Sequence, residues 1–258
     1  MTHHNADSDP RLRGALFDLG DTLVRCEGPW PQMLEQAVRL CHEQLCDQRP
    51  DVSRDQLLRA AERSIAGRLA QVDEEHRTFP ARERVVAVLN DMGIEAKPDL
   101  VERLVGSLYQ PISECSRPLS HAREALAELK QAGLRLGLVS NTPWDVPGEL
   151  VERDLVRFGL RAHFDVVIFS DGGFRKPHPD PFRRALAELG TTAAQTIMVG
   201  DSLTDDVAGA HALGMRTMWL APPQAREELE RSKVKPDYIA GDVREAGDMI
   251  LALAKRET

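Results

Sequence analysis

Ala15-Leu16-Phe17-Asp18-Leu19-Gly20-Asp21-Thr22 is an apolar run that breaks into an acid, a glycine, a second acid and a hydroxyl. Consecutive apolar residues followed by turn formers predict a buried strand that ends in a sharp turn. In an open α/β sheet the chemistry sits just past such carboxyl ends. The same residues also make ordinary strand-to-loop turns, because Asp, Gly and Thr serve turns of many kinds. Three further strand ends decide between the two readings.

From residue 120 onward, helical patterns alternate with short apolar runs. Ala122, Ala125, Leu126 and Leu129 share one helix face, Gly133 closes it, and Leu134 to Val139 reads as a buried strand. The device repeats through Gly159 and Phe164 to Phe169, through Gly190 and Thr196 to Val199, and through Gly214 and Met215 to Leu220. Tyr238-Ile239 and a helix near 243 to 254 end the series. Helix alternating with strand predicts an α/β fold, a doubly wound Rossmann-like parallel sheet with helices on both faces. Residues 27–117 differ. Leu34, Ala37, Val38, Cys41 and Leu45 form an amphipathic stripe, Ser53 with Gln56 offers a capping box, Gly93 ends a third helix and Pro98 opens a fourth. The expected division is a frayed tail at 1–13, a core built from 14–26 and 118–258, and an all-helical insert at 27–117.

Composition bounds the function. With 42% hydrophobic and 29% charged residues the chain is ordinary globular protein, and no apolar stretch reaches the ~18 residues of a membrane span. A net charge of -8 with scattered basic residues argues against nucleic acid as a partner. The first thirteen residues lack the apolar segment of a secretory signal, which makes the cytoplasm the expected location. Cys26, Cys41, Cys46 and Cys115 form no CxxC pair, and they are read as unpaired structural residues in a reducing compartment. Nothing in the pattern separates a monomer from a homodimer.

A parallel sheet places all its carboxyl ends on one edge, so residues distant in sequence meet in one crevice. Here the first end carries Asp18 and Thr22 and the second carries Ser140-Asn141. The third run is followed by Lys176-Pro177, and the fourth by Gly200-Asp201-Ser202 with Asp205 and Asp206. Each has a plainer use alone: Asp18 as a turn cap, Lys176 as a surface lysine, Asp205 and Asp206 as complements to a helix dipole. Together they are the inventory of metal-assisted phosphoryl transfer. A phosphate monoester repels nucleophiles, and a carboxylate needs a cation to screen its approach. Magnesium takes oxygen ligands from carboxylates, carbonyls and water, which Asp18, the Gly20 carbonyl and Asp201 supply. Thr22, Ser140, Asn141 and Lys176 are the expected donors to phosphoryl oxygens. The histidines show no metal-ligand spacing, and His178 is the one close enough to the crevice to count as a site candidate.

The segments Phe-Asp18-Leu-Gly-Asp-Thr22-Leu, Val-Ser140-Asn141, Arg-Lys176-Pro-His-Pro-Asp-Pro-Phe and Val-Gly-Asp201-Ser-Leu-Thr-Asp-Asp206 closely resemble the four ordered motifs of the haloacid dehalogenase superfamily. The resemblance spans the α/β part, and the helical insert is similar to that superfamily's C1 cap. It implies a hydrolase that passes through an aspartyl-phosphate on Asp18, with Mg²⁺ held by Asp18, Gly20 and Asp201. Asp206 matches the second acid of the fourth motif, and Asp205 could share its supporting duty. The implied substrate is a small phosphorylated metabolite.

One position departs from the pattern. The family's usual first motif carries a general acid two residues after the nucleophile, and here that residue is Gly20, while Thr22 keeps its place. General acid-base help is worth ~10² to 10⁴ in rate. The sequence therefore implies a phosphatase with weakened leaving-group protonation. Two alternatives follow, a phosphate-binding or regulatory protein of little turnover and a 2-haloacid dehalogenase. Against the dehalogenase stands the intact Gly200-Asp201-Ser202, and against a phosphonate-cleaving enzyme stands Lys176, where that branch uses arginine. Arg25, Trp30 and the His76 to Arg82 segment are candidate contacts from the insert or its hinge.

Overall fold

The computed structural model describes residues 11–46, 49–71, 76–221 and 225–256. The chain opens with β1 (Gly14–Phe17) and β2 (Val24–Cys26). Four helices follow: α1 (Trp30–Cys46), α2 (Arg54–Gln71), α3 (Ala81–Asp91) and α4 (Pro98–Cys115). Then come β3 (Ser116–Pro118), α5 (Ala122–Gln131), β4 (Arg135–Ser140), α6 (Gly148–Arg157), β5 (Val166–Phe169) and α7 (Pro179–Leu189). The last elements are β6 (Thr196–Gly200), α8 (Gly209–His211), β7 (Arg216–Leu220), α9 (Arg226–Arg231), β8 (Tyr238–Ala240) and α10 (Val243–Arg256).

Six strands form one parallel sheet in the order β5-β4-β1-β6-β7-β8. Strand β1 lies between β4 and β6, and its side chains alternate between faces as the pleat requires. Ala15 and Phe17 join a core with Leu126 and Leu129 of α5 and Ala246 and Ile250 of α10. Leu16 turns the other way, among Phe182, Ala185 and Leu189 of α7. Each fully buried Leu or Phe contributes about 1.5–3 kcal/mol, so covering both faces makes the sheet a rigid platform. Gly190 at φ 63° closes α7 as the helix-stop pattern predicts.

In the insert, α1 packs along α4, and the Cys41 thiol faces the Leu104 carbonyl at 3.6 Å. The Ser53–Gln56 capping box forms: Gln56 N donates to Ser53 Oγ at 3.2 Å and Ser53 N to Gln56 Oε1 at 2.8 Å. The insert also touches the sheet-side loops. Thr78 N donates to Gly173 O at 2.9 Å, and Arg175 N to His76 O at 2.9 Å. Arg82 of α3 holds Glu102 of α4 and Glu149 of α6.

Three expectations need correction. First, β2 and β3 pair as an antiparallel ribbon with Val24 opposite Pro118 and Cys26 opposite Ser116. Three-residue strands such as Val-Arg-Cys and Ser-Arg-Pro are too short to show a periodic pattern. Second, the cysteines are not all unpaired. That register brings Cys26 beside Cys115, and the two form a disulfide with Cα atoms 5.2 Å apart, leaving Cys41 and Cys46 free. Their separation of 89 residues hides the pairing from any spacing rule. Third, the frayed tail is shorter than 1–13. Leu12 is buried, and Arg13 N donates to Gln195 O at 2.8 Å. Residues 1–10, with His3 and His4, lie outside the described residues. Among the described residues no helix is long and apolar enough to cross a membrane.

Candidate active site

The last sheet bond of β1 runs one residue beyond the strand, where Asp18 N donates to Val199 O at 2.9 Å. Asp18 is thereby fixed at the carboxyl edge with its side chain mostly buried. The chain then folds back on itself: Leu23 N and Val24 N both donate to Leu19 O, and Asp21 adopts φ 51°. This left-handed residue, of a type that tolerates such a conformation, makes the turn tight. Thr22 is fully buried by it, with its hydroxyl 3.5 Å from Asp201 Oδ1.

The fourth strand end is shaped by a glycine. A Cβ on Gly200 would lie 2.1 Å from Asp206 Oδ2, so only glycine lets the Asp206 carboxylate fold back against the strand end. There Asp206 accepts from Ser202 N at 3.1 Å within the π-type turn Leu203–Ala208. Trp219 of the neighbouring strand β7 donates its indole N–H to Asp201 O at 2.7 Å, which holds the preceding loop.

Lys176 joins these ends. Its ammonium, only 2% exposed, sits 2.6 Å from both Asp18 Oδ1 and Asp206 Oδ1. Burial alone would push the lysine down, but the two facing carboxylates outweigh it and hold the group above its ordinary value. Asn141 braces the lysine from behind: Lys176 N donates to Asn141 Oδ1 at 2.9 Å, and Asn141 Nδ2 donates to Lys176 O and to Asp205 Oδ2 at 3.1 Å. The Asn141 side chain is thus engaged with protein groups on both sides. Ser140 is buried at the end of β4.

Asp18, Asp201 and Asp206 each bring one carboxylate oxygen within 4.8 Å of the others. Three hard anionic oxygens this close, with one ammonium among them, form a donor set that fits Mg²⁺. Asp205 is tied to Asn141 and stands outside the trio. Burial first, then the charges of Asp18 and Asp21, push the Asp201 carboxyl up to about 7. Burial likewise raises Asp206 against the pull of Lys176. In metal-free protein the folded state therefore holds protons that the unfolded chain has lost, from Asp201's ordinary 3.8 up to about 7. Stability then falls as pH rises through that window. The thermal midpoint in chelator is expected to be lower at pH 8 than at pH 5.5, and Mg²⁺ is expected to restore it at pH 8.

The remaining candidates fall elsewhere. His178 stacks on Phe174 at 3.7 Å and accepts from Asp180 N at the start of α7, so it is a helix cap and not a site contact. Arg25 pairs with Asp21 at 2.7 Å on the surface. Trp30 stands at the crevice mouth against Trp144, with ring centroids 5.8 Å apart and planes at 67°. Trp144 and Trp219 carried no motif signal. One lies in a loop and the other inside a strand pattern, and only the fold brings them to the site.

The family model for haloacid dehalogenase-like hydrolases matches residues 12–214. A phosphoserine phosphatase of Thermus thermophilus is 36% identical over 169 residues, covering 64% of each chain. A glyceraldehyde 3-phosphate phosphatase of Methanopyrus kandleri is 27% identical over 250 residues, covering 95% of this chain and 99% of that one. Among solved structures, a phosphatase of the same superfamily from Thermococcus onnurineus superposes with a TM-score of 0.61 at 24% identity, covering 93% of this chain and 98% of that one.

Proposed function

Since the chain belongs to the haloacid dehalogenase-like hydrolases, in the phosphatase-like branch of that superfamily, we propose that it is a Mg²⁺-dependent phosphatase of small phosphorylated metabolites that acts through an aspartyl-phosphate on Asp18. The observation that carries this reading is the Lys176 ammonium, buried and 2.6 Å from Asp18, beside a trio of carboxylates. Asp18, Asp201, Asp206 and the Gly20 carbonyl would hold the ion. When bound, Mg²⁺ would neutralise charge on the phosphoryl oxygens.

The chain's own residues do the rest. Lys176 orients the Asp18 carboxylate and adds positive charge where the phosphoryl group is transferred. The Thr22 and Ser140 hydroxyls donate to its oxygens. Asn141 fixes Lys176 from the main-chain side, which keeps the ammonium in place without reorganisation. An Asp18 oxygen attacks phosphorus, the ester oxygen leaves with the bonding electron pair, and water then splits the acyl phosphate to release phosphate.

The helical insert, residues 27–117, acts as a cap over the crevice and supplies contacts to the leaving group. On this reading it works in the cytoplasm, as a monomer or homodimer. A reducing cytoplasm would keep Cys26 and Cys115 as thiols, with the β2–β3 ribbon still joining the two chain passages.

Purified protein is expected to hydrolyse an activated aryl phosphate with Mg²⁺ and to lose that turnover in excess chelator. Turnover that survives chelation would overturn the metal role. Gly20 favours the second reading, a phosphate-binding protein with little turnover, and that reading predicts saturable binding of a phosphorylated metabolite without hydrolysis.

A further inference from the structure

Beside Gly20 the crevice widens into a cavity of about 290 Å³ walled by Trp30, Tyr109, Trp144, Val151 and Phe158. Four of the nineteen residues that line it are aromatic, in a chain with only 5% aromatic residues. Its lining also takes in Leu19, Ser140 and Arg175, so the cavity adjoins the strand ends that carry Asp18 and Lys176. A leaving group attached to phosphorus there would extend into the aromatic walls.

Trp144 is built into this position at a conformational cost. Trp144 and Asp145 take φ 50° and 48° in succession, a left-handed pair that non-glycine residues adopt only where the surroundings enforce it. The enforcing contacts are visible. The Trp144 carbonyl accepts from the buried Arg84 guanidinium of α3, and the Trp144 ring meets the edge of Trp30 from α1. Insert and sheet loops therefore hold one indole between them.

The same cavity is short of carboxylic acids placed to protonate a departing oxygen. A Cβ at Gly20 would meet nothing within 4 Å, so the space where a side-chain acid would stand is open. The adjacent Asp21 carboxylate turns outward to Arg25, and both side chains are more than half exposed. Asp154, the buried acid of the far wall, accepts from Tyr109 Oη and Ser113 Oγ at 2.8 Å and faces the Arg157 guanidinium at 2.9 Å, so it is fixed as an acceptor.

Resting on the phosphatase reading, we propose that the substrate is the phosphate monoester of an aromatic hydroxyl, and that Trp144 and Trp30 determine this specificity by packing on its ring. The two observations support each other. A phenol-like hydroxyl ionises near pH ~10, against ~16 for water. The aryl oxygen can thus leave as its anion when the Asp18–phosphorus bond forms, and it takes its proton from solvent afterwards. An alkyl ester would need the acid that Gly20 lacks. Edge-to-face and offset packing of aromatic rings adds binding beyond buried area.

The experiment measures kcat/KM with Mg²⁺ on three probes: phenyl phosphate, 2-phenylethyl phosphate, which keeps the ring on a poor leaving group, and acetyl phosphate, which keeps a good leaving group without a ring. Phenyl phosphate is expected to exceed 2-phenylethyl phosphate by about 10²-fold or more. Trp144→Ala and Trp30→Ala are each expected to lower the phenyl-to-acetyl ratio about 3- to 10-fold, mainly through KM. Trp144→Phe should restore most of the ratio, which separates ring packing from misfolding. Gly20→Asp should narrow the gap between phenyl and 2-phenylethyl phosphate. A 2-phenylethyl ester hydrolysed as well as the phenyl ester, or a phenyl-to-acetyl ratio unmoved by either tryptophan variant, would overturn the aromatic specificity and leave the phosphatase standing. No turnover of any probe would remove the phosphatase reading itself.

Discussion

Asp18→Asn is expected to lower phosphatase turnover by about 10⁴-fold or more, the scale on which removal of a covalent nucleophile acts. The substitution preserves size and shape, so the turn from Leu19 to Val24 and the Asp18 N to Val199 O bond should persist. What changes is chemistry. An amide oxygen is a far weaker nucleophile than a carboxylate, and Lys176 keeps only Asp206 as a charged partner. Inorganic phosphate should still bind, because Lys176, Ser140 and Thr22 remain. The measurement is single-turnover hydrolysis beside phosphate binding by calorimetry. Full activity in the variant would take the nucleophile assignment away from Asp18.

Lys176→Met is expected to be the most destabilising single change at the site. The methionine fills much of the lysine's volume but leaves Asp18, Asp201 and Asp206 with oxygens within 4.8 Å of one another and no cation among them. Breaking a buried ion pair by removing one partner costs about 3–5 kcal/mol. At about 2–4 °C per kcal/mol for a chain of this size, the melting midpoint should drop roughly 6–20 °C. Mg²⁺ should recover part of that loss, since it places charge where the ammonium was. A midpoint within about 2 °C of wild type would mean that Lys176 is not the counter-charge of the cluster.

The sheet was legible because its buried strands and glycine-ended helices follow strong periodic rules. The runs at 134–139, 164–169, 196–199 and 215–220 reappear as β4 to β7 with their ends moved by a residue or two. Asp18, Lys176, Asp201 and Asp206 were legible because parallel topology forces strand ends together whatever lies between them. Partner choice was not. Asn141 faces Lys176 and Asp205 because the loop after β4 runs beside the loop that carries Lys176, which no sequence spacing encodes. Trp144 was equally hidden, since its position depends on two left-handed residues and a guanidinium 60 positions away. Cys26 and Cys115 show the same limit: their meeting is set by the register of a ribbon too short to leave a pattern.

That ribbon makes the helical insert a cassette. The chain leaves the ribbon at Cys26 and comes back to its edge at Cys115, 89 residues later, through a gap of 5.2 Å between Cα atoms. Such a gap is one that the end of an ordinary two-residue hairpin also spans. At the ribbon itself, the join therefore suits an excursion of any length. The insert also meets the sheet-side loops: His76 O accepts from Arg175 N, next to Lys176, and the Arg84 guanidinium donates to the Trp144 carbonyl. A different helical excursion would pass through the same doorway, but it would have to fit these loops as well.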